Sequence, residues 1–165
     1  RFYPAIDPLI SWSRYREQLQ SYFDTDVDPH WTETVNNMHE LLRHGNDIDL
    51  MMHVTGEEGI TIEDYVIYQK SLFLDMVYLQ QDAFDPVDVS APLKRQQMSF
   101  LKIYHLMKRE YHFPDKKAAR EYFTRLTGLF KNLNYTADSS PDYEALQQEI
   151  TELAASTPEI AETQE

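Results

Sequence analysis

The stretch TIEDYVIYQKSLFLDMVYLQQDAFDP, residues 61–86, carries the clearest helical pattern in the sequence. Thr61 can accept a hydrogen bond at the start of a helix, and a carboxylate at Asp64, in the first turn, favours the helix dipole. The positions that then recur with a helical period are Ile62, Tyr65, Val66, Gln69, Leu72, Phe73, Met76 and Leu79. Because proline disfavours a helical residue before it, Asp85-Pro86 is predicted to end or sharply bend this long helix.

An acidic turn and an earlier helix precede this stretch. The turn, residues 55–60, reads TGEEGI. Before it, Asp28 and Pro29 suit the N-cap and the first turn of a helix. The buried stripe of that helix is predicted at Trp31, Val35, Met38 and Leu42. Gly45-Asn46-Asp47 is predicted to interrupt this helix, and a shorter helix follows the break.

Helical patterns also fill most of the chain after residue 86. One helix is predicted from about Leu93 to Tyr111, a second is capped by Asp115, and a final amphipathic helix starts at Pro141. The predicted fold class is therefore all-α, a helical bundle of about five to seven helices. A short irregular or strand-end segment is expected to precede it. We expect a connecting segment over residues 1–27, the bundle over 28–155 and a flexible acidic tail over 156–165.

Composition excludes several classes of function. The 165 residues are one domain's worth, and 28 acidic against 15 basic residues give a net charge of −13, which would repel nucleic acid and anionic lipid. No cysteine is present, so disulfides and thiol chemistry are excluded, and the four glycines cannot form a phosphate cradle. No apolar run is long enough to span a bilayer, so no direct membrane insertion is expected. Because the chain begins at Arg1, we interpret it as a piece of a longer protein.

Local clusters of polar residues do not predict a catalytic or metal site. The six histidines lack the spacing of known metal motifs, and His39 and His44 fall on different faces of a helix. The carboxylate pairs Glu57-Glu58 and Glu63-Asp64 lie around a turn, where a solvated acidic loop is the simpler interpretation. Composition and periodicity alone therefore predict an acidic helical domain.

Four sequence motifs resemble those of rotary ATPases. YPAIDPL (residues 3–9) and SWSR (11–14) resemble the segment that ends the nucleotide-binding domain of these enzymes. LQQDAFD (79–85) resembles the LQQ-[NS]-A-[FY]-H signature of the V/A-type catalytic subunit, and LKRQQM (93–98) is similar to the LEKQYxML helix of that family. The chain is identified as a member of this family, as the C-terminal helical domain of the catalytic subunit of a bacterial V-type ATPase. The likeness ends near residue 111.

The resemblance implies that part of the chain binds the adenine ring of ATP or ADP, which the intact subunit holds with magnesium. The residues to which it assigns the adenine pocket are Tyr3, Gln80, Gln81, Ala83 and Phe84. Asp82 and Asp85 depart from the family pattern, and we expect these extra carboxylates to point outward, away from a nucleotide. Arg14 lies where a related non-catalytic subunit supplies an arginine finger to a neighbouring site, a role that stays open here.

The resemblance also implies partners and a location. The acidic turn corresponds to the part of the family that meets the rotating central stalk, and the residues concerned are Gly56, Glu57, Glu58, Gly59, Glu63 and Asp64. The other implied partner is the non-catalytic B-type subunit, in an alternating A/B hexamer with further V-type ATPase subunits. The implied location is peripheral, on the cytoplasmic face of a bacterial plasma membrane. Neither a catalytic residue nor a metal ligand is expected within these 165 residues, so the chain alone should not hydrolyse ATP.

Two alternatives remain from the sequence. A stand-alone acidic helical protein-interaction module could share the LQQDAF stretch by chance. The catalytic β subunit of an F-type enzyme is favoured by Pro8, but it is disfavoured by residues 79–84 and by the extra C-terminal helices.

Overall fold

The structure, a computed structural model, describes residues 4–138 and 140–156. Six α-helices, and no strand, occur in these ranges. The helices are α1 (Gln20–Tyr22), α2 (Trp31–Thr55), α3 (Ile62–Leu74), α4 (Leu93–Lys108), α5 (Lys116–Tyr135) and α6 (Pro141–Ala155). The predicted all-α bundle is confirmed, and residues 4–19 before it form irregular turns. The three-part division of the chain stays a prediction.

Helix α3 is the central element, and its start is confirmed. The Thr61 hydroxyl accepts a hydrogen bond from the Asp64 amide at 3.1 Å. The helix continues through a π-helical turn, Asp75–Leu79, and the chain becomes extended at Gln80. The prediction that Asp85-Pro86 ends this helix is therefore wrong in position. The helix stops earlier: its last wide-turn bond runs from the Gln80 amide to the Asp75 carbonyl at 3.0 Å, and Gln80 itself is extended.

Helix α2 runs unbroken from Trp31 to Thr55, so the predicted interruption at Gly45-Asn46-Asp47 is wrong. Gly45 is buried inside the helix, where a Cβ atom would lie 2.2 Å from the Cβ atom of Ser71 on α3. The glycine therefore lets two helix backbones approach closely and does not break the helix. A glycine chosen for close packing and a glycine that ends a helix look the same in one sequence.

The start of α2 also differs from the prediction. Asp28 is not the N-cap residue, because the helix begins at Trp31 and the Asp28 carboxylate instead accepts from the His30 amide at 2.9 Å. The carboxylate of Asp24 accepts from the Thr32 amide at 2.9 Å. This bond holds the pKa of Asp24 below its usual value. An acid in the preceding turn thus satisfies a free amide of the first helical turn.

The core lies where α3 packs against α2 and α5, and α6 also packs against α5. The ring of Phe73 meets those of Phe123 and Phe130 at centroid distances of 6.5 and 5.2 Å. Asp115 caps α5 by accepting from the Ala118 amide, and Pro141 is the first residue of α6, as predicted.

Arg95 of α4 fixes the end of α5. Its guanidinium donates to the carbonyls of Leu133 and Asn134 at 2.8 and 3.0 Å and pairs with Asp138 at 2.8 Å. A cation at these last carbonyls is also favoured by the helix dipole. The last turn of α5, which borders the loop after α3, is therefore held in place.

Candidate functional site

The loop of residues 80–92, here called the long loop, follows α3 and is folded by its own carboxylates. The Asp82 carboxylate accepts from the Phe84 amide at 2.9 Å, and the Asp85 carboxylate accepts from the amides of Val87 and Asp88 at 2.8 and 2.9 Å. The buried Asp88 carboxylate accepts from the Asp82 amide at 2.6 Å. The expectation that both point outward, away from a nucleotide, is wrong for Asp82, which lines an open depression beside Phe84, whereas the half-buried Asp85 is not among the residues that line it.

Phe84 is the most exposed large apolar side chain described, with 97% of its surface accessible. It borders an open depression of about 560 Å³. Gln80, Gln81 and Ala83 line the same depression. Four of the five residues assigned to the adenine pocket are thus brought together, while Tyr3 lies outside the described residues. An exposed aromatic ring beside amide side chains can stack on a flat ring and bond to its polar edge.

The opposite wall of the depression comes from α5 and was not predicted. Lys131, Asn134 and Tyr135 line it, and the Asn134 side chain donates to the Val77 carbonyl at 2.8 Å. Partial burial, with the nearby charges of Asp82, Asp88 and Asp85, raises the pKa of Tyr135. No local pattern could join residues 80–84 to residues some fifty positions later.

Pro4 and Arg14 belong to the irregular segment before α1. Pro4 lines a smaller cavity of about 240 Å³ together with Gln80 and Gln81, so this segment comes close to the long loop. Arg14 is exposed, and its open role as an arginine finger stays a prediction.

The turn between α2 and α3, residues 55–61, is here called the far turn. Its entry needs glycine, because Gly56 has a φ of +76°, a conformation that other residues rarely adopt. A Cβ atom at Gly59 would lie 2.7 Å from the Cβ atom of Thr55. The far turn is therefore a tight, specified structure and not merely a solvated loop.

The acids at the far turn differ in their contacts. Both carboxylate oxygens of Glu57 accept from Arg120 Nη2 of α5 at 2.6 Å. Glu58 and Glu63 are exposed, and Asp64 is half-buried in the first turn of α3. These carboxylates thus have distinct surroundings, and the spacing of the acids in the sequence did not predict this difference.

An apolar patch adjoins the far turn and was also not predicted. Leu50, Met51 and Val54 share one exposed face at the end of α2, and Val54 is 86% accessible. Side chains at spacings of three and four residues lie together on a helix. Exposed apolar surface beside acidic residues is typical of a protein contact.

Neither a metal cluster nor a membrane-spanning helix occurs in the described part of the chain. Within residues 4–138 and 140–156, no group of three histidine or acidic side chains could hold a metal ion. In the same ranges, no helix combines the length and the apolar character required to cross a bilayer.

Comparison with known proteins places these features in a family. The profile of the C-terminal domain of V and A type ATP synthase matches residues 20–122. The chain is 39% identical over 150 residues to the V-type ATP synthase alpha chain of Protochlamydia amoebophila, covering 91% of this chain and 25% of that protein. It is 41% identical over 143 residues to that of Chlamydia abortus, covering 87% and 24%. For Treponema denticola, the identity is 37% over 165 residues, covering 98% and 26%.

The chain spans about a quarter of the length of the curated relatives it matches. The profile covers most of the chain, from α1 into α5, and so includes both the far turn and the long loop. The chain therefore belongs to the family of C-terminal domains of V and A type ATP synthases.

Proposed function

We propose that this chain is the C-terminal lever domain of the catalytic subunit of a V-type ATPase or ATP synthase. In this role it completes the adenine pocket and couples ATP hydrolysis or synthesis to rotation of a central stalk and to proton or sodium transport. The observation that carries the proposal is the fully exposed ring of Phe84 in the depression where Gln80, Gln81 and Ala83 also meet. Family membership favours this role over a stand-alone interaction module.

The adenine ring fits the chemistry of the long loop. The ring of Phe84, the most exposed large apolar side chain among the described residues, offers its face to a base, and such stacking is worth roughly 1–3 kcal/mol per base. Gln80 and Gln81 have amide groups that match the donors and acceptors on the edge of adenine. Tyr3 supplies a second ring in this proposal. Residues outside this chain bind magnesium and the phosphates of ATP or ADP, and the chain alone does not hydrolyse ATP.

The position of the two features at opposite ends of α3 supports the lever role. Residues 62–79 form a continuous helical rod of roughly 25 Å. If the long loop moves with the bound nucleotide, a rigid rod carries that motion to the far turn. The exposed acids Glu58 and Glu63 and the apolar patch then form the surface that meets a central stalk. Its charge favours a basic partner surface.

The proposed setting is an assembled enzyme. A non-catalytic B-type subunit alternates with the intact catalytic subunit in a hexamer around the central stalk. The complex is peripheral on the cytoplasmic face of a bacterial plasma membrane. Membership in a family of V-type ATP synthase chains supports this setting.

The adenine role is tested with Phe84→Ala in the assembled enzyme. Loss of one stacking ring is expected to raise the dissociation constant for ADP roughly tenfold, within the range for one stacked base. Maximal turnover at saturating ATP should stay close to that of the parent, because the phosphate chemistry lies elsewhere. The measurements are equilibrium binding of ADP and the dependence of hydrolysis on ATP concentration.

Two control variants separate stacking from general damage to the loop. Phe84→Tyr keeps the ring and should bind ADP as the parent does. Val89→Ala removes another exposed apolar side chain from the same loop and should leave binding unchanged. Unaltered ADP affinity in a folded Phe84→Ala enzyme would refute the adenine role.

A further inference from the structure

Two cations of α5 hold the far turn from outside the α2–α3 hairpin. Arg120 Nη2 contacts both carboxylate oxygens of Glu57 at 2.6 Å, and Arg120 Nε donates to the Tyr65 hydroxyl at 2.9 Å. Lys116, one helical turn earlier on α5, donates from Nζ to the Glu57 carbonyl. One residue of the turn is therefore held by both its side chain and its backbone.

The anchor of this contact is rigid. Tyr65 is 1% exposed and belongs to the core, and the Arg120 guanidinium also lies over its ring at 5.7 Å from the centroid. An arginine that binds a carboxylate with two short bonds and also bonds a buried hydroxyl has few alternative positions. The contact thus connects the far turn to a fixed point in the core.

Apart from this contact, the far turn is supported by its two flanking helices and by Ile60, which is 5% exposed and belongs to the core. Gly56 and Gly59 are the two residues at which its backbone makes tight turns, and residues 55–59 are exposed. The link to a third helix therefore adds a support for the exposed residues of the turn.

We propose that Arg120 and Lys116 brace the far turn, so that load applied to the turn passes directly into α5 as well as along α3. This inference rests on the proposed contact of the far turn with a central stalk. It makes Arg120 a positioning residue for coupling and assigns Glu57 to the brace. The stalk contact is left to Glu58, Glu63 and the apolar patch.

A role in coupling differs from a role in overall stability. The Glu57–Arg120 pair is half-exposed, and pairs of this kind contribute little to global stability in water. Loss of the brace should therefore soften the turn without unfolding the domain. The melting temperature and the affinity for ADP should stay close to those of the parent.

The test compares Arg120→Gln with Lys117→Gln in the holoenzyme reconstituted in vesicles. Both variants remove one positive charge from the start of α5, but Lys117 pairs with Glu121 of its own helix and does not contact the turn. Arg120→Gln is expected to lower the number of ions transported per ATP hydrolysed by about twofold. Hydrogen exchange of the turn amides of Gly59 and Ile60 should rise by about fivefold. Lys117→Gln should change neither quantity.

Two further variants, a charge-reversed pair and a shortened turn, distinguish failure of the brace from failure of the stalk contact. The reversed pair, Glu57→Arg with Arg120→Glu, keeps the ion pair but loses the bond from Arg120 to Tyr65, so it should restore part of the coupling that each single substitution loses. A third variant shortens residues 56–59. If shortening lowers coupling while Arg120→Gln behaves as Lys117→Gln does, the brace is overturned and the stalk contact stands. If neither variant alters coupling, the brace and the stalk contact are both overturned.

Discussion

The two ends of α3 are held in different ways. Side chains of another helix hold the far turn at one end, whereas the long loop at the other end is held by its own carboxylates. Arg120 and Lys116 reach the turn from α5. In the loop, Asp82, Asp85 and Asp88 accept hydrogen bonds from neighbouring backbone amides. The turn is thereby connected to the core, while the loop is shaped by hydrogen bonds within itself and by one bond from the Gln96 side chain of α4 to the Ala91 carbonyl.

This difference suits two different tasks. A loop that holds its own shape can leave a large ring such as Phe84 free to meet a ligand. A turn that carries a load, as proposed for the far turn, is stiffened by a further contact with the core. The same helix links both ends, so substitutions inside it should affect both, and substitutions at its borders should affect one end more than the other.

The largest effect is expected from Phe73→Ala, within the rod that joins the two ends. Phe73 is 1% exposed, and removing a ring of this kind from a core costs about 3–5 kcal/mol of the free energy of unfolding. The melting temperature of the chain should fall by roughly 10 °C, as measured by circular dichroism. Hydrogen exchange should rise in both the far turn and the long loop.

Phe84→Ala is the matched control, since it removes the same ring eleven positions later where it is exposed. It should change the free energy of unfolding by less than about 0.5 kcal/mol. Equal losses from the two substitutions would contradict the contrast between a buried rod and an open loop.

A smaller effect, confined to the α2–α3 hairpin and the far turn, is expected from Gly45→Ala. The added Cβ atom would overlap Ser71, so the helices must separate, at a cost of about 1–3 kcal/mol. Gly128→Ala is the control, because a Cβ atom there meets open space on α5, and it should add about 0.5–1 kcal/mol. Chemical denaturation measures both values. An increase in the free energy of unfolding for Gly45→Ala would show that α2 and α3 can accommodate a Cβ atom at this position.

Gly45 also shows where sequence reasoning stops. Helical periodicity predicted the elements and the caps at Thr61 and Asp115, because both signals are local. It placed a break at Gly45, because a glycine needed for close packing is recognised only when the partner, Ser71, is known. Local patterns thus predict elements better than they predict contacts between elements.

In the candidate site, too, a local motif predicted some residues, and others were recognised only from the fold. The motif at residues 79–85 predicted that Gln80, Gln81, Ala83 and Phe84 act together, and they do line one depression. The motif could not predict Lys131 and Tyr135, which the folding of α5 brings to the same place. Nor could it distinguish Glu57, which binds Arg120, from its neighbour Glu58. Adjacent acids in a sequence acquire different tasks only through tertiary contacts.

The smallest predicted effect concerns Asp75, at the point where α3 enters its last turn before the long loop. Asp75 and Asp7 line a cavity of about 590 Å³, together with Asp49 and Tyr68. Burial, and to a lesser extent the charge of Asp7, raises the pKa of Asp75 to about 6 from its usual 3.8. Between these two values the folded state binds more protons than the unfolded state, so the free energy of unfolding falls as the pH rises through this window.

Asp75→Asn removes the cost of ionising a partly buried carboxylate. It tests whether the end of the rod next to the long loop is sensitive to pH. Compared with the parent, the variant should gain about 1 kcal/mol of stability at pH 7, since the group is half-exposed and screened, and should lose this advantage near pH 4. Asp7→Asn should give a smaller change in the same direction, because it removes the lesser of the two causes. Melting temperatures measured from pH 4 to pH 7 report the difference. If the advantage of Asp75→Asn did not vary with pH, Asp75 would not be the group that titrates in this window.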